Sequence, residues 1–227
     1  FSVDISGNCI VVGTGTFEDM NKNKGGAAYL FVKPESGWKD MVQTAKLYAS
    51  DGQNSDRFGY SVGISNDCVI VGAYGDNHNG EYCGSAYVFE KPEDNWHDMF
   101  QTAKLVASDG QAGDFFGCSV SISDRDIVIG AVGDDDNGES SGSAYVYVKP
   151  VNGWKDTVET AIIRASDSQS NDFFGTVCIS KNYIVVGATG NNEKGAAYVF
   201  KKPINGWVDM FQTAKLVVSD GQSYDDF

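Results

Sequence analysis

The residues best suited to chemistry are carboxylates. The stretch "GDDDNG" gathers Asp134, Asp135, Asp136 and Asn137 in one short loop, and its counterpart "GDNHNG" supplies Asp76, Asn77 and Asn79. Calcium takes its ligands as oxygens from flexible, carboxylate-rich loops, so Asp134, Asp135, Asp136 and Asn137 form a candidate calcium site. Exposed turns rich in Asp, Asn and Gly account for the same residues without an ion. A second acidic phrase, "SDGQxxD" or a near copy, recurs at Asp51 and Asp56, Asp109 and Asp114, Asp167 and Asp172, and Asp220 and Asp225. Asp side chains there can cap turn amides, and the repetition points to architecture. A cation shared through Asp109 and Asp114 is the alternative.

Other chemistry is sparse. His78 and His97 occupy non-equivalent loop positions, and no GxSxG, HExxH or phosphate-cradling loop occurs. No catalytic residue and no organic cofactor is expected, and an enzyme is the least favoured class. The five cysteines (Cys9, Cys68, Cys83, Cys118 and Cys178) form no CxxC pair, which argues against zinc. Four read as small apolar strand residues, with Cys83, in a glycine-rich turn, as the exception; a Cys68–Cys83 bridge is compatible with the spacing. The formal net charge of −14 repels phosphate backbones and anionic lipids, which disfavours nucleic acid and membrane surfaces as partners. No apolar run reaches membrane-spanning length.

The elements that position these residues repeat. Trp38, Trp96, Trp154 and Trp207 recur at intervals of 58, 58 and 53 residues, and Phe58, Phe116, Phe174 and Phe227 recur at the same intervals. Each unit carries four strand-like pieces, seen in the second copy as "YSVGIS", "CVIVGA", "SAYVFEK" and "FQTAKLVAS". The second and third pieces are apolar on both faces, as in a sheet covered on both sides. Connections rich in Gly, Asn and Asp are too short for crossover helices, so the strands are antiparallel neighbours. The predicted fold is all-β: a β-propeller of four four-stranded antiparallel blades, spanning 1–59, 60–117, 118–175 and 176–227. "FGTVCIS" in the fourth copy is one residue shorter than "FGCSVSIS", which would turn the strand over unless a bulge absorbs it. The four tryptophans follow turns between the third and fourth strands and are interface candidates, either against a neighbouring strand or in lateral contacts.

"FGYSVGIS…VIVGAYGD…GSAYVF" resembles the FG-GAP repeat, the blade unit of the integrin α-subunit propeller. It is most similar to the variant of microbial secreted and surface proteins. Phe58-Gly59, Phe116-Gly117 and Phe174-Gly175 match the FG element. Gly72-Ala73, Gly130-Ala131 and Gly187-Ala188 match the start of the GAP element, and Gly13-Thr14 departs from it. The integrin calcium loop, between strands one and two, has no counterpart in the short turns "SGN", "SND", "SDRD" and "SKN". The resemblance implies an extracellular or cell-surface location. The expected role is a non-enzymatic structural or adhesive module, the repeating unit of a fibre or an excerpt of a longer tandem array. Its partners would be itself, other surface proteins or glycans. A receptor-type ligand-binding propeller and the accessory propeller of a larger surface enzyme are the alternatives.

Overall fold

The computed structural model describes residues 2–15 and 25–222. Phe1, Asp225 and Phe227 lie outside them.

Four sheets follow one another along the chain. The first contains β1 (Ser2–Ser6), β2 (Cys9–Gly13), β3 (Ala28–Val32) and β4 (Ala45–Tyr48). The second contains β5 (Ser61–Ser65), β6 (Cys68–Ala73), β7 (Ser85–Glu90) and β9 (Ala103–Leu105), with β8 (Met99–Phe100) preceding β9 in the chain. The third contains β10 (Ser119–Ser123), β11 (Asp126–Ala131), β12 (Ser143–Val148) and β13 (Ala161–Arg164). The fourth contains β14 (Phe174–Ser180), β15 (Tyr183–Ala188), β16 (Ala196–Lys201) and β18 (Ala214–Leu216), with β17 (Met210–Phe211) preceding β18. Strands one to four of each sheet pair antiparallel in chain order, as expected for FG-GAP propeller blades.

Tight two-residue turns set the register of strands one and two. Ser65 pairs with Cys68 across Asn66-Asp67, and Asn66 has φ 53°, the left-handed conformation that primed hairpin turns require at that point. In the fourth sheet the missing residue is absorbed by a register shift between Phe174 and Thr176, so Val177 and Ile179 still face inward.

Sheets stack face to face, and each of three apolar cores lies between two successive sheets. In the core between the second and third sheets, Ile70, Ala86, Val88 and Leu105 on one side meet Val120, Ile127, Ile129 and Tyr145 on the other. The motif phenylalanine anchors this contact. Phe116 lies edge-on to Tyr145 and Tyr147 at 5.4 and 6.2 Å between ring centroids. Phe58 and Phe174 repeat that arrangement on Tyr87 and Phe89, and on Tyr198 and Phe200. The inner strands β6, β7, β11 and β12 are almost wholly buried, whereas β1 and β15 alternate between covered and open positions.

The fourth strand is not the outermost in every blade, because β8 adds to β4 in parallel and β17 adds to β13 in parallel. Each added strand comes from the following repeat. It is strapped down by side chains: Asp98 Oδ1 accepts from Lys46 N at 2.8 Å, and Gln101 Oε1 accepts from Ser50 N at 2.9 Å.

Truncating the motif ring tests the weight of these cores. Phe116→Ala should cost about 3–5 kcal/mol of unfolding free energy. Ile204→Ala, at a fully exposed position, should stay within about 0.5 kcal/mol of wild type, both read by urea denaturation.

Candidate functional site

The acidic residues converge at a repeated clasp where one blade hands over to the next. Asp51 arrives from the turn after β4, Asp76 from the loop after β6, Tyr87 from β7 and Lys104 from β9. Tyr87 Oη lies 3.0 Å from Asp51 Oδ1 and 2.8 Å from Asp76 Oδ2, so its proton is shared between two carboxylates. Lys104 Nζ donates to Asp51 Oδ2 at 2.6 Å and to Asp76 Oδ2 at 2.9 Å. Burial alone would push the Asp76 carboxyl up, but the Lys104 ammonium and the Tyr87 hydroxyl hold it below its ordinary range. The Tyr87 phenol is driven well above its usual value by burial and then by the two carboxylates.

The next clasp is built from Asp109, Asp134, Tyr145 and Arg164. Tyr145 Oη donates between Asp109 Oδ1 at 3.0 Å and Asp134 Oδ2 at 2.6 Å. Arg164 Nη2 contacts Asp136 Oδ2 and lies 3.6 Å from Asp109 Oδ2, while its Nε donates to Ser143 Oγ at 3.3 Å. In the following clasp Asn191 replaces the second Asp. Lys215 Nζ bridges Asp167 Oδ2 at 2.6 Å and Asn191 Oδ1 at 2.7 Å, and Tyr198 Oη donates to Asp167 Oδ1 at 3.0 Å. Each clasp therefore surrounds a cation that the chain itself supplies.

The candidate calcium residues divide accordingly. Oxygens of Asp109, Asp134 and Asp136 lie within 4.8 Å of one another, a carboxylate set able to hold a metal. Asp135 is exposed and its Oδ1 accepts from Ser140 N at 2.7 Å, as a turn cap does. Asn137 is also exposed, and its amide donates to Ser141 Oγ at 3.3 Å. Asp114 stands apart from the cluster and caps its own turn, accepting from Gln111 N at 2.7 Å. Asp56 and Asp172 do the same with Gln53 N and Gln169 N. The guanidinium of Arg164 sits on two of the three clustered carboxylates, where a metal would meet a positive charge already in place.

The tryptophans are not a lateral row. Trp96, Trp154 and Trp207 are 5, 6 and 4% exposed and belong to the cores between blades; Trp38 alone is open, at 44%. Trp207 Nε1 donates to Asp126 Oδ2 of the preceding blade at 2.9 Å.

A family model described as FG-GAP repeat matches residues 41–89, 99–147 and 157–200, more than half of the chain. The chain belongs to the FG-GAP repeat family. No curated protein matches it. Each matched FG-GAP segment runs from the outer part of one blade through strand three of the next, so it spans one junction and the clasp's acidic residues and tyrosine, while the cation follows it. The FG glycine makes that junction close: Gly117, at φ 86°, places its carbonyl where a Cβ on Gly72 of the preceding blade would sit, 2.1 Å away.

One constellation escaped the sequence reading because only the folded loop assembles it. His78 Nδ1 lies 3.2 Å from Asp76 Oδ1, and His78 Nε2 lies 3.9 Å from Cys83 Sγ. The order thiol, imidazole, carboxylate is that of a nucleophile with its base and orienting acid. Cys83 is nonetheless buried, and burial pushes its thiol up to about 11, the reverse of activation. Cys83 is thus a packed residue, contrary to expectation, while Cys178 on β14 is exposed. All five thiols are free, so the Cys68–Cys83 bridge is not formed. Burial raises Cys68, within β6, to about 12.

The turn caps make stability depend on pH. Burial raises both Asp56 and Asp114 to about 6, above the ordinary carboxylate value that they recover on unfolding. A raised folded-state pKa favours the folded form once protonated. Their contribution is therefore complete below about pH 4 and is lost as pH rises through about 6. The melting temperature should rise as pH falls from about 7 to about 5, and the Asp56→Asn/Asp114→Asn pair should flatten most of that rise.

Proposed function

We propose that this FG-GAP propeller is a non-enzymatic structural or adhesive module of an extracellular or cell-surface protein, and the repeating unit of a fibre. What carries this reading is where the polar chemistry is used. Every conspicuous acidic cluster among the described residues caps a turn or closes a clasp between blades. Its positive charge comes from Lys104, Arg164 or Lys215, all in fourth strands, with Arg164 two residues beyond Ile162, which holds the place of the two lysines. In the thiol–imidazole–carboxylate set, the nearest approach to catalytic machinery, His78 is exposed but the Cys83 thiol is buried and not activated. FG-GAP repeats are typical of surface proteins, and among the described residues no helix is long and apolar enough to cross a membrane. Location is tested on intact cells of the source organism. Mild protease shaving or surface biotinylation should capture the chain, and recovery only after lysis would overturn the surface assignment.

In this reading calcium is dispensable at Asp109, Asp134 and Asp136 because Arg164 fills the role of the ion. The wild-type melting temperature should be the same in millimolar calcium and in chelator. Arg164→Ala should lose about 2–4 kcal/mol by leaving the carboxylates facing one another, and calcium should restore part of that loss. A calcium-dependent rise in the wild type would instead make the cluster a metal site that displaces Arg164.

A further inference from the structure

The two ends of the stack present unlike faces, and each is the half of a contact that the molecule makes three times internally. Toward the following blade, a sheet offers small and aliphatic side chains, such as Val128, Ala144, Val146, Ala161 and Ile163 of the third sheet. Toward the preceding blade, it offers larger ones, such as Val62, Ile64, Tyr87, Phe89 and Trp96 of the second. The fourth sheet leaves the first kind open. By register, Val185, Ala197, Val199 and Leu216 take the places of Val128, Ala144, Val146 and Ile163, and Leu216 is 47% exposed. The first sheet leaves the second kind open. Val3, Ile5, Tyr29, Phe31 and Trp38 take the places of Val62, Ile64, Tyr87, Phe89 and Trp96, with Val3 67% and Ile5 60% exposed.

Two sets of polar bonds repeat at the internal contacts and are equally unmatched at the ends. Along the first strands of successive sheets, Ser119, Ser121 and Ser123 accept from Val177 N, Ile179 N and Lys181 N at 3.0–3.1 Å. Ser2, Asp4 and Ser6 accept from Val62 N, Ile64 N and Asn66 N in the same way. In the fourth sheet Thr176, Cys178 and Ser180 hold those positions and are exposed. In the first sheet Ile5 N, the counterpart of Ile64 N, turns back to its neighbour Asp4 Oδ1. At the outer edge, Asp98, Asp156 and Asp209 each accept from a fourth-strand amide of the preceding blade, at 2.8–2.9 Å. Gln101 and Gln212 complete the strap on Ser50 and Ser166. The equivalent residues of the first repeat, Asp40 and Gln43, are exposed. On the fourth blade the matching amides are Lys215 N and Ser219 N.

We propose that the open face of the fourth blade receives the open face of the first blade of a second copy of this chain, in the register that joins successive blades within it. Val185 and Leu216 pack on Val3, Ile5 and Trp38, and Asp40 and Gln43 strap the edge of β18. The contact is heterologous, so repeated addition gives a closed ring or a head-to-tail filament. It rests on the structural-module reading and specifies how that module assembles.

The test uses the whole chain and two surface variants. Val3→Lys/Ile5→Lys spoils the first face and Val185→Lys/Leu216→Lys the fourth, all at exposed positions. Melting curves matching wild type identify variants that remain folded. In sedimentation velocity, the wild-type mass should at least double as concentration is raised through the micromolar range, from the 24.4 kDa of one chain. Each variant alone should remain at one chain, because one of its two faces is blocked. An equimolar mixture should form dimers and nothing longer, joining the intact fourth face of one variant to the intact first face of the other. A wild type that stays at 24.4 kDa throughout, variants that assemble like it, or a mixture that stays monomeric would each overturn the proposal. Assembly without a surface location would remove only the proposed role, whereas a surface chain that stays monomeric would remove only this contact.

Discussion

The fold depends on one contact, the packing of a sheet's larger side chains onto the small and aliphatic face of the sheet before it. Among the described residues no blade has a core of its own: the three apolar clusters all lie between sheets. The hydrophobic free energy of a blade is therefore realised only when a neighbour is in place, as in stacked repeat proteins generally. The motif residues serve this contact. A phenylalanine reaches the aromatic pair of strand three, and two glycines let backbones meet where any side chain would collide.

The clasps are the polar counterpart. Carboxylates brought this close repel one another unless a positive charge lies between them. The chain commits one fourth-strand residue per junction to that charge: lysine at 104 and 215, arginine at 164. Each cation also locks strand four to the turn beside it, so charge balance and blade closure are one event. The buried tyrosine contributes the remaining donor and is itself kept protonated by its burial and then by the carboxylates it serves.

Much of this was legible in the chain. Runs such as "CVIVGA" and "SAYVFEK" announced strands covered on both faces, and β6 and β7 are so covered. The "SDGQxxD" aspartates read as turn caps; Asp56, Asp114 and Asp172 cap their turns, whereas Asp51, Asp109 and Asp167 accept from the clasp tyrosines. What the chain concealed depended on cross-strand register. Lys104 looks like an ordinary exposed residue of an alternating strand until Tyr87 is known to lie opposite it. The tryptophans read equally as lateral contacts because nothing local shows that the segments after Trp96, Trp154 and Trp207 cross to the neighbouring blade. His78 and Cys83 meet only through the fold of their loop.

That crossing segment also sets a clock. The edge of the first sheet is completed by residues of the next repeat, with 52 positions between Lys46 and the Asp98 that straps it. A ribosome adding about 5–20 residues per second needs roughly 3–10 seconds to cover that distance. For that interval β4 is a finished strand with an unpaired edge, the kind of surface that recruits a foreign strand. The same gap reopens as each repeat emerges, so the vulnerable point of the nascent chain travels along it one blade behind synthesis.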